Sequence, residues 1–180
     1  MKRIVVLFIL AFCLSAGMMN AQDKVRSRSV YGELFGASQG IGVNYDARFN
    51  PMAKDGLGWR AGLGVGATYS SNGIYSSFTN RVFDLMVRFS APVELNYLVG
   101  KGSSQFESGL GIMPVIDIYH YEDYRYEETE TEFSAFPYLS LGYRLVIKGG
   151  FLFRTGLLTG YNFSDETLGF CPYFGFGWAF

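Results

Sequence analysis

The stretch Phe83–Tyr97, with the sequence FDLMVRFSAPVELNY, alternates between two kinds of side chain. Its odd-numbered positions are apolar or aromatic throughout. Its even-numbered positions carry the polar and charged groups, including Arg88 and Glu94. Successive side chains of a β-strand point to opposite faces, so this period of two predicts one long strand with one apolar face.

The same alternation recurs along the chain and predicts further strands. The runs that carry it are 59–69, 106–118, 133–145, 151–161 and 170–180. The run 30–49 changes its apolar phase midway, and a tight hairpin near residues 37–39 would divide it into two strands. The total is then eight, an even number of the kind that single-chain bacterial barrels require. Four prolines fall inside these strands, and we expect β-bulges at some of them: Pro92, Pro114, Pro137 and Pro172.

Length, charge and the first residues indicate one exported domain. The chain has 180 residues, and its formal net charge of −1 without a basic patch argues against a nucleic-acid partner. Residues 1–21 have the layout of a secretory signal, with two basic residues, an apolar stretch and small residues before Gln22. Cleavage after Ala21 would leave residues 22–180 as a barrel domain. It would also leave Cys171 as the one cysteine, so we expect no internal disulfide.

The two faces of the predicted strands favour a barrel in lipid. One face carries long aromatic and aliphatic rows, whereas the other holds the glycines and many charges. In a bilayer every backbone N–H and C=O must be paired within the protein, and a closed barrel with apolar side chains outside achieves this. The charges assigned to the inside are Glu33, Asp46, Asp84, Glu94, Glu107 and Asp117 with Arg48, Arg60, Arg88, Arg144 and Arg154. Because the acids and arginines nearly balance, we predict a packed network of ion pairs and no open aqueous pore.

The last predicted strand, FCPYFGFGWAF (Phe170–Phe180), has an aromatic ring or a proline at every second position. These residues can face lipid and the aromatic girdle at the periplasmic interface. With the signal sequence and eight strands, the chain resembles the small outer-membrane barrels of the OmpA and OmpX type found in Gram-negative bacteria. The resemblance implies an eight-stranded antiparallel up-and-down transmembrane barrel in the bacterial outer membrane. It also implies outer-membrane lipid and the barrel assembly machinery as partners, with an assembly signal at the chain end: Phe174, Phe176, Trp178 and Phe180.

The leading functional hypothesis is a non-enzymatic barrel whose extracellular loops have structural, binding or adhesion roles, without cofactor or metal. The loop DIYHYEDYRYEETETEF is rich in acids, which solubilise it, and it presents Tyr121, Tyr124 and Tyr126. Tyrosines among polar residues suit contact with an extracellular protein or another surface ligand.

Two alternatives stay open. Barrel enzymes that hydrolyse or transfer lipid acyl chains use a histidine to activate a serine. Here His120 is the one histidine, and Ser134 is the first serine that follows it in the sequence. A narrow solute channel is the second alternative.

The stretch GLGVG (Gly62–Gly66) is not a phosphate loop, because no lysine and no helix follow it.

Overall fold

The computed structural model describes residues 25–75, 82–100, 102–123, 126–162 and 166–180; the predicted signal sequence lies outside them. Within these ranges the strands are β1 (Arg28–Phe35), β2 (Gly40–Arg48), β3 (Gly56–Tyr75), β4 (Val82–Ser90), β5 (Val93–Val99), β6 (Ser104–Asp123), β7 (Tyr126–Val146), β8 (Phe151–Asn162) and β9 (Thr167–Ala179). Each pairs antiparallel with its neighbours, and β9 pairs with β1, which closes the sheet into a barrel. No helix in the described ranges is long and apolar enough to cross a membrane.

Strands β4 and β5 form one strand of the barrel wall. Both pair with β3 on one side and with β6 on the other. The register on each side is the same before and after Ala91–Pro92, where the strand is interrupted. The barrel therefore has eight wall strands, and the fold class that the sequence predicted is confirmed. The predicted hairpin near residues 37–39 is also present, as a 3-10 turn at Gly36–Ser38 followed by Gln39 in the left-handed region.

The prediction of β-bulges at the prolines was wrong. The β6–β7 register runs without a shift through Pro114 and Pro137, and the β8–β9 register runs without a shift through Pro172. Proline lacks only the N–H, so its carbonyl can stay in the ladder. Gly62 N donates to Pro92 O at 3.0 Å, and Ala91 N donates to Pro114 O at 2.9 Å. The missing N–H groups of Pro92 and Pro114 therefore both lie at the interruption between β4 and β5, and the register on each side of it is unchanged.

The stagger of the barrel follows from the pairing. Cross-strand partners lead from Arg28 of β1 around the ring through Ala47, Trp59, Leu95, Leu110, Leu139 and Thr159 to Phe170 of β9. The direct neighbour of Arg28 across the β1–β9 junction is Phe180, to which it is hydrogen-bonded. One circuit of the barrel therefore displaces the path by ten residues along the chain, from Phe170 to Phe180. A barrel of eight strands with this stagger has an interior that side chains can fill.

The wall is apolar outside and polar inside. Outward residues such as Leu63, Leu110 and Phe170 are 72%, 61% and 64% exposed, whereas Glu107 and Arg154 inside are 0% exposed. An exposed apolar belt around a polar, buried interior is the arrangement of a transmembrane barrel.

The strands rise to different heights at the end opposite the chain termini. Pairing of β7 with β8 ends at Tyr138 and Gly160, whereas pairing of β7 with β6 continues to Asp123 and Tyr126. We call residues 112–123 and 126–137 the outer hairpin. Most of the acidic segment that the sequence predicted to be a loop is therefore strand, because the alternating pattern continues through Thr129, Thr131 and Phe133 on β7.

Candidate functional site

The interior of the barrel brings together the charged residues that alternation assigned to it. Of the eleven, the side chain of Asp84 lies outside the described part of the structure. Eight are joined in one network: Glu33, Asp46, Arg48, Arg60, Glu94, Glu107, Arg144 and Arg154. All eight are buried. Four arginines face four carboxylates, so the network is formally neutral.

Arg60 and Glu33 link one half of the network. Arg60 Nη1 donates to Glu33 Oε2 at 2.9 Å, and Arg60 Nη2 donates to Glu94 Oε2 at 2.7 Å. Hydroxyl groups add to these contacts: Ser38 Oγ donates to Glu33 Oε1, and Ser140 Oγ donates to Glu94 Oε2, the oxygen that also accepts from Arg60. A buried carboxylate is stable only with such partners, because its unpaired desolvation costs several kcal/mol.

Asp46 and Glu107 organise the other half. Arg144 Nη1 and Nη2 donate to the two oxygens of Asp46 at 2.9 and 3.1 Å, and Nη2 and Nε reach Glu107 at 3.1 Å. Arg48 Nη2 donates to both oxygens of Asp46 at 2.8 Å, and Asn96 Nδ2 donates to Asp46 Oδ2 at 2.6 Å. Paired donors of this kind fit the fixed fork of a guanidinium group.

Arg154 joins the two halves. Its Nη1 donates to Glu33 Oε2 at 2.9 Å and its Nη2 donates to Glu107 Oε1 at 2.8 Å. The guanidinium carbon lies 4.7 Å from the ring centroids of Tyr31 and Tyr173, and Nη1 also donates to the Tyr31 hydroxyl. Stacking between two rings adds cation–π attraction to the ion pairs. The sequence reasoning missed both tyrosines, although each occupies an inward position of its strand.

Interior glycines make room for these long side chains. A Cβ at Gly109 would lie 2.4 Å from Glu94 Oε1, and one at Gly142 would lie 2.1 Å from the Tyr173 hydroxyl. Glycine is therefore needed where a network side chain crosses the neighbouring strand. The space left at the end near the termini is a cavity of about 20 Å³ beside Arg48 and Arg144. The interior can hold its charges in place, but it offers no wide path for a solute.

Arg88 and Asp117 form a separate pair nearer the outer end. Arg88 Nε and Nη2 donate to Asp117 Oδ1 and Oδ2, both at 2.6 Å, and Nη1 donates to Gln39 Oε1 at 3.2 Å. The Arg88 side chain is 22% exposed, and that of Asp117 is 4% exposed. This pair borders the space above the network.

The terminal aromatic residues lie on the outer face of β9. Phe174, Phe176 and Phe180 are exposed, and Trp178 is half-buried. Strand β9 is paired on both sides, with β1 and with β8. The rings are thus available to lipid, and an assembly role for them stays a prediction.

His120 and Ser134 do not form a catalytic pair. His120 is opposite Thr129 on β7, and its Nδ1 lies 3.3 Å from Thr129 Oγ1. Ser134 is five positions from Thr129 along β7, which corresponds to about 16 Å and to the opposite face of the strand. Among the described residues no group of three or more His, Cys, Asp or Glu side chains could hold a metal ion.

The three loop tyrosines are only partly covered by the structure. The backbones of Tyr121 and Tyr126 belong to β6 and β7, opposite Glu128 and Asp123. Their side chains, and the whole of Tyr124, lie outside the described residues.

Comparison with known proteins supports the fold. No protein-family model and no curated protein matches the sequence. The chain is similar to the crystal structure of Ail, the attachment invasion locus protein of Yersinia pestis, in complex with the heparin analogue sucrose octasulfate. That match has 13% identity and a TM-score of 0.50, and it covers 86% of this chain and 96% of Ail. The N-terminal β-barrel domain of Pseudomonas aeruginosa OprF matches with 10% identity and a TM-score of 0.51, over 86% of this chain and 96% of that domain. The chain therefore has the fold of the small outer-membrane β-barrels, and the resemblance drawn from the sequence is confirmed at the level of fold.

Proposed function

We propose that this chain is a non-enzymatic outer-membrane protein that contacts a partner outside the cell through its outer hairpin. In this proposal residues 1–21 direct export, and the rings of Phe174, Phe176, Trp178 and Phe180 engage the assembly machinery. The neutral, filled interior supports a scaffold role over a solute channel, because its charges are used in binding one another. The distance between His120 and Ser134 removes the serine–histidine pair on which the enzyme alternative was based.

The observation that carries the proposal is the edge of β7. Between Tyr126 and Pro137 this strand pairs with β6, and no described strand pairs with its other side. An unpaired edge offers N–H and C=O groups to an extended segment of another chain. The edge belongs to the outer hairpin, which extends beyond the last pair of β7 with β8, so it is well placed for a partner in the extracellular space.

The direction in which each N–H group of β7 points follows from the hydrogen bonds at the C-terminal end of this strand. Val146 N donates to Ser103 O on the β6 side, and Ile147 N donates to Phe151 O on the β8 side. The β6–β7 register has no shift, so odd-numbered residues of β7 point their N–H groups to the free edge. Thr131 is one of them, and its side chain is exposed.

This direction allows a test that leaves the hairpin intact. Thr131→Pro removes one N–H from the free edge and none from the β6–β7 ladder, so the fold should be retained. Thr131→Val is the matched control, because it changes the side chain and keeps the N–H. Cells that display the barrel would be scored for adhesion to a panel of immobilised extracellular-matrix proteins. We expect adhesion above the empty-vector level with the wild type and Thr131→Val, and its loss with Thr131→Pro. Adhesion equal to empty vector, or equal for both variants, would refute binding through this edge.

A further inference from the structure

A cavity occupies the outer end of the barrel interior, above the charge network. Its volume is about 400 Å³. Inward side chains of four strands line it, among them Met113 of β6, Phe136 of β7, Leu158 of β8 and Cys171 of β9, and Gln39 of the first hairpin turn borders it. The volume lies within the range of small-molecule sites in proteins, which are concave, mostly apolar and supplied with a few polar groups.

Two glycines create this space, and packing does not require them. Gly160 and Gly169 are direct partners across β8 and β9, and both border the cavity. A Cβ at Gly160 would meet its nearest atom at 3.8 Å, and one at Gly169 at 3.9 Å, which is ordinary van der Waals contact. Neither has a positive φ angle. They differ in this from Gly109 and Gly142, whose Cβ atoms would collide with Glu94 and Tyr173.

The lining identifies the chemistry of a ligand. Aromatic and thioether groups favour an aromatic guest, since rings prefer edge contacts with other rings and with sulfur. Several polar residues border the cavity, among them Gln39, Asn162 and Thr167. Arg88 also borders it and is the charged one, and its guanidinium carbon lies 5.9 Å from the centroid of the Phe136 ring. Asp117 already neutralises this arginine, so an anion would have to displace a carboxylate that is held by two hydrogen bonds. A guanidinium has five N–H donors, and its bonds to Asp117 and Gln39 use three.

We propose that this cavity is a binding site for an uncharged aromatic molecule of about two fused rings that carries one hydrogen-bond acceptor. The rings lie against Met113, Phe136 and Leu158, and the acceptor faces Arg88. The ligand is bound and not conducted, because the charge network fills the barrel below it. This site is independent of the β7 edge and does not rest on the proposed surface contact.

Cys171 reports on occupancy without any substitution. Its side chain is partly exposed and borders the cavity, and Cys13 belongs to the predicted signal sequence. Mature protein in lipid nanodiscs would be alkylated with a maleimide in the presence of 2-acetylnaphthalene, which is neutral and has a carbonyl acceptor. We expect alkylation to slow by about tenfold when this probe is present at ten times its dissociation constant. Naphthalene should protect at higher concentrations only, and decanoate should not protect.

Filling the cavity provides the matched control. Gly169→Val adds a side chain where there is room for one, whereas Leu168→Val alters the adjacent residue, which is exposed on the outer face. Each variant is compared with its own rate without probe. Protection should be lost in Gly169→Val, with Gly160→Val as a second filled variant, and retained in Leu168→Val. No protection of the wild type, equal protection in filled and control variants, or equal protection by decanoate would overturn the proposal. Equal potency of naphthalene would overturn the contact with Arg88.

Discussion

Arg154→Met is the substitution that most directly tests whether the interior is a linked network of ion pairs. The change keeps an unbranched apolar side chain and removes the charge that joins Glu33 to Glu107. Removing one partner of a buried ion pair costs about 3–5 kcal/mol, because the other charge stays buried without compensation. The loss of the stacking contacts with Tyr31 and Tyr173 adds about 1–2 kcal/mol for each desolvated contact. We therefore expect the free energy of unfolding to fall by at least about 4 kcal/mol.

The measurement is urea-induced unfolding of the mature barrel in lipid vesicles, followed by tryptophan fluorescence and by the heat-dependent shift in gel mobility. Arg28→Met is the control, because Arg28 is exposed and its replacement should change stability by less than about 0.5 kcal/mol. The double variant Arg154→Met/Glu107→Gln leaves three arginines facing three carboxylates in the network. It should be more stable than Arg154→Met alone, since the second change removes an unpaired charge. A loss below about 1 kcal/mol in the single variant, or two losses that simply add, would refute the network interpretation.

Three further predictions concern packing, conduction and assembly. Gly142→Ala should destabilise the barrel by about 1–3 kcal/mol in the same urea assay, because its Cβ would overlap the Tyr173 hydroxyl; a neutral effect would show that the interior is loosely packed. Pure protein in planar bilayers should give no large, stable conductance, and persistent porin-sized steps would mean that the ion pairs do not close the interior. Replacing Trp178 and Phe180 by Ser should reduce folded barrel in the outer membrane of cells much more than refolding into detergent, as measured by gel mobility; equal losses in both would leave only a packing role for these rings.

Alternation along the sequence indicates which face of a strand each residue occupies. Glu33, Arg60 and Arg154 each occupy an inward position, and the period of two alone puts them there. It could not predict which acid meets which arginine. Arg60 of β3 reaches Glu33 of β1 across the intervening strand β2, and this contact depends on the stagger and diameter of the closed barrel.

Local rules also failed where neighbouring strands decide the outcome. The acidic segment after Asp117 was predicted to be a loop from its charge, but pairing between β6 and β7 extends it as strand. We expected β-bulges at some of the prolines, yet pairing with a neighbouring strand keeps its register at Pro114, Pro137 and Pro172. The sequence did not predict the cavity, because alternation cannot distinguish Gly160 and Gly169 from the inward glycines that packing requires.

The pairing between β1 and β9 has a consequence for the order in which the barrel closes. The junction between β1 and β9 joins the two ends of the chain through seven residue pairs, whereas β6 and β7 share twenty. Contacts between distant parts of a chain form late, since the entropy of closing a long loop must be overcome first. Glu33 of β1 then meets Arg154 of β8 and Arg60 of β3 on either side of this junction. The Arg154–Glu33 pair therefore forms only after β1 and β9 have paired, whereas the Arg60–Glu33 pair between β3 and β1 does not require that junction.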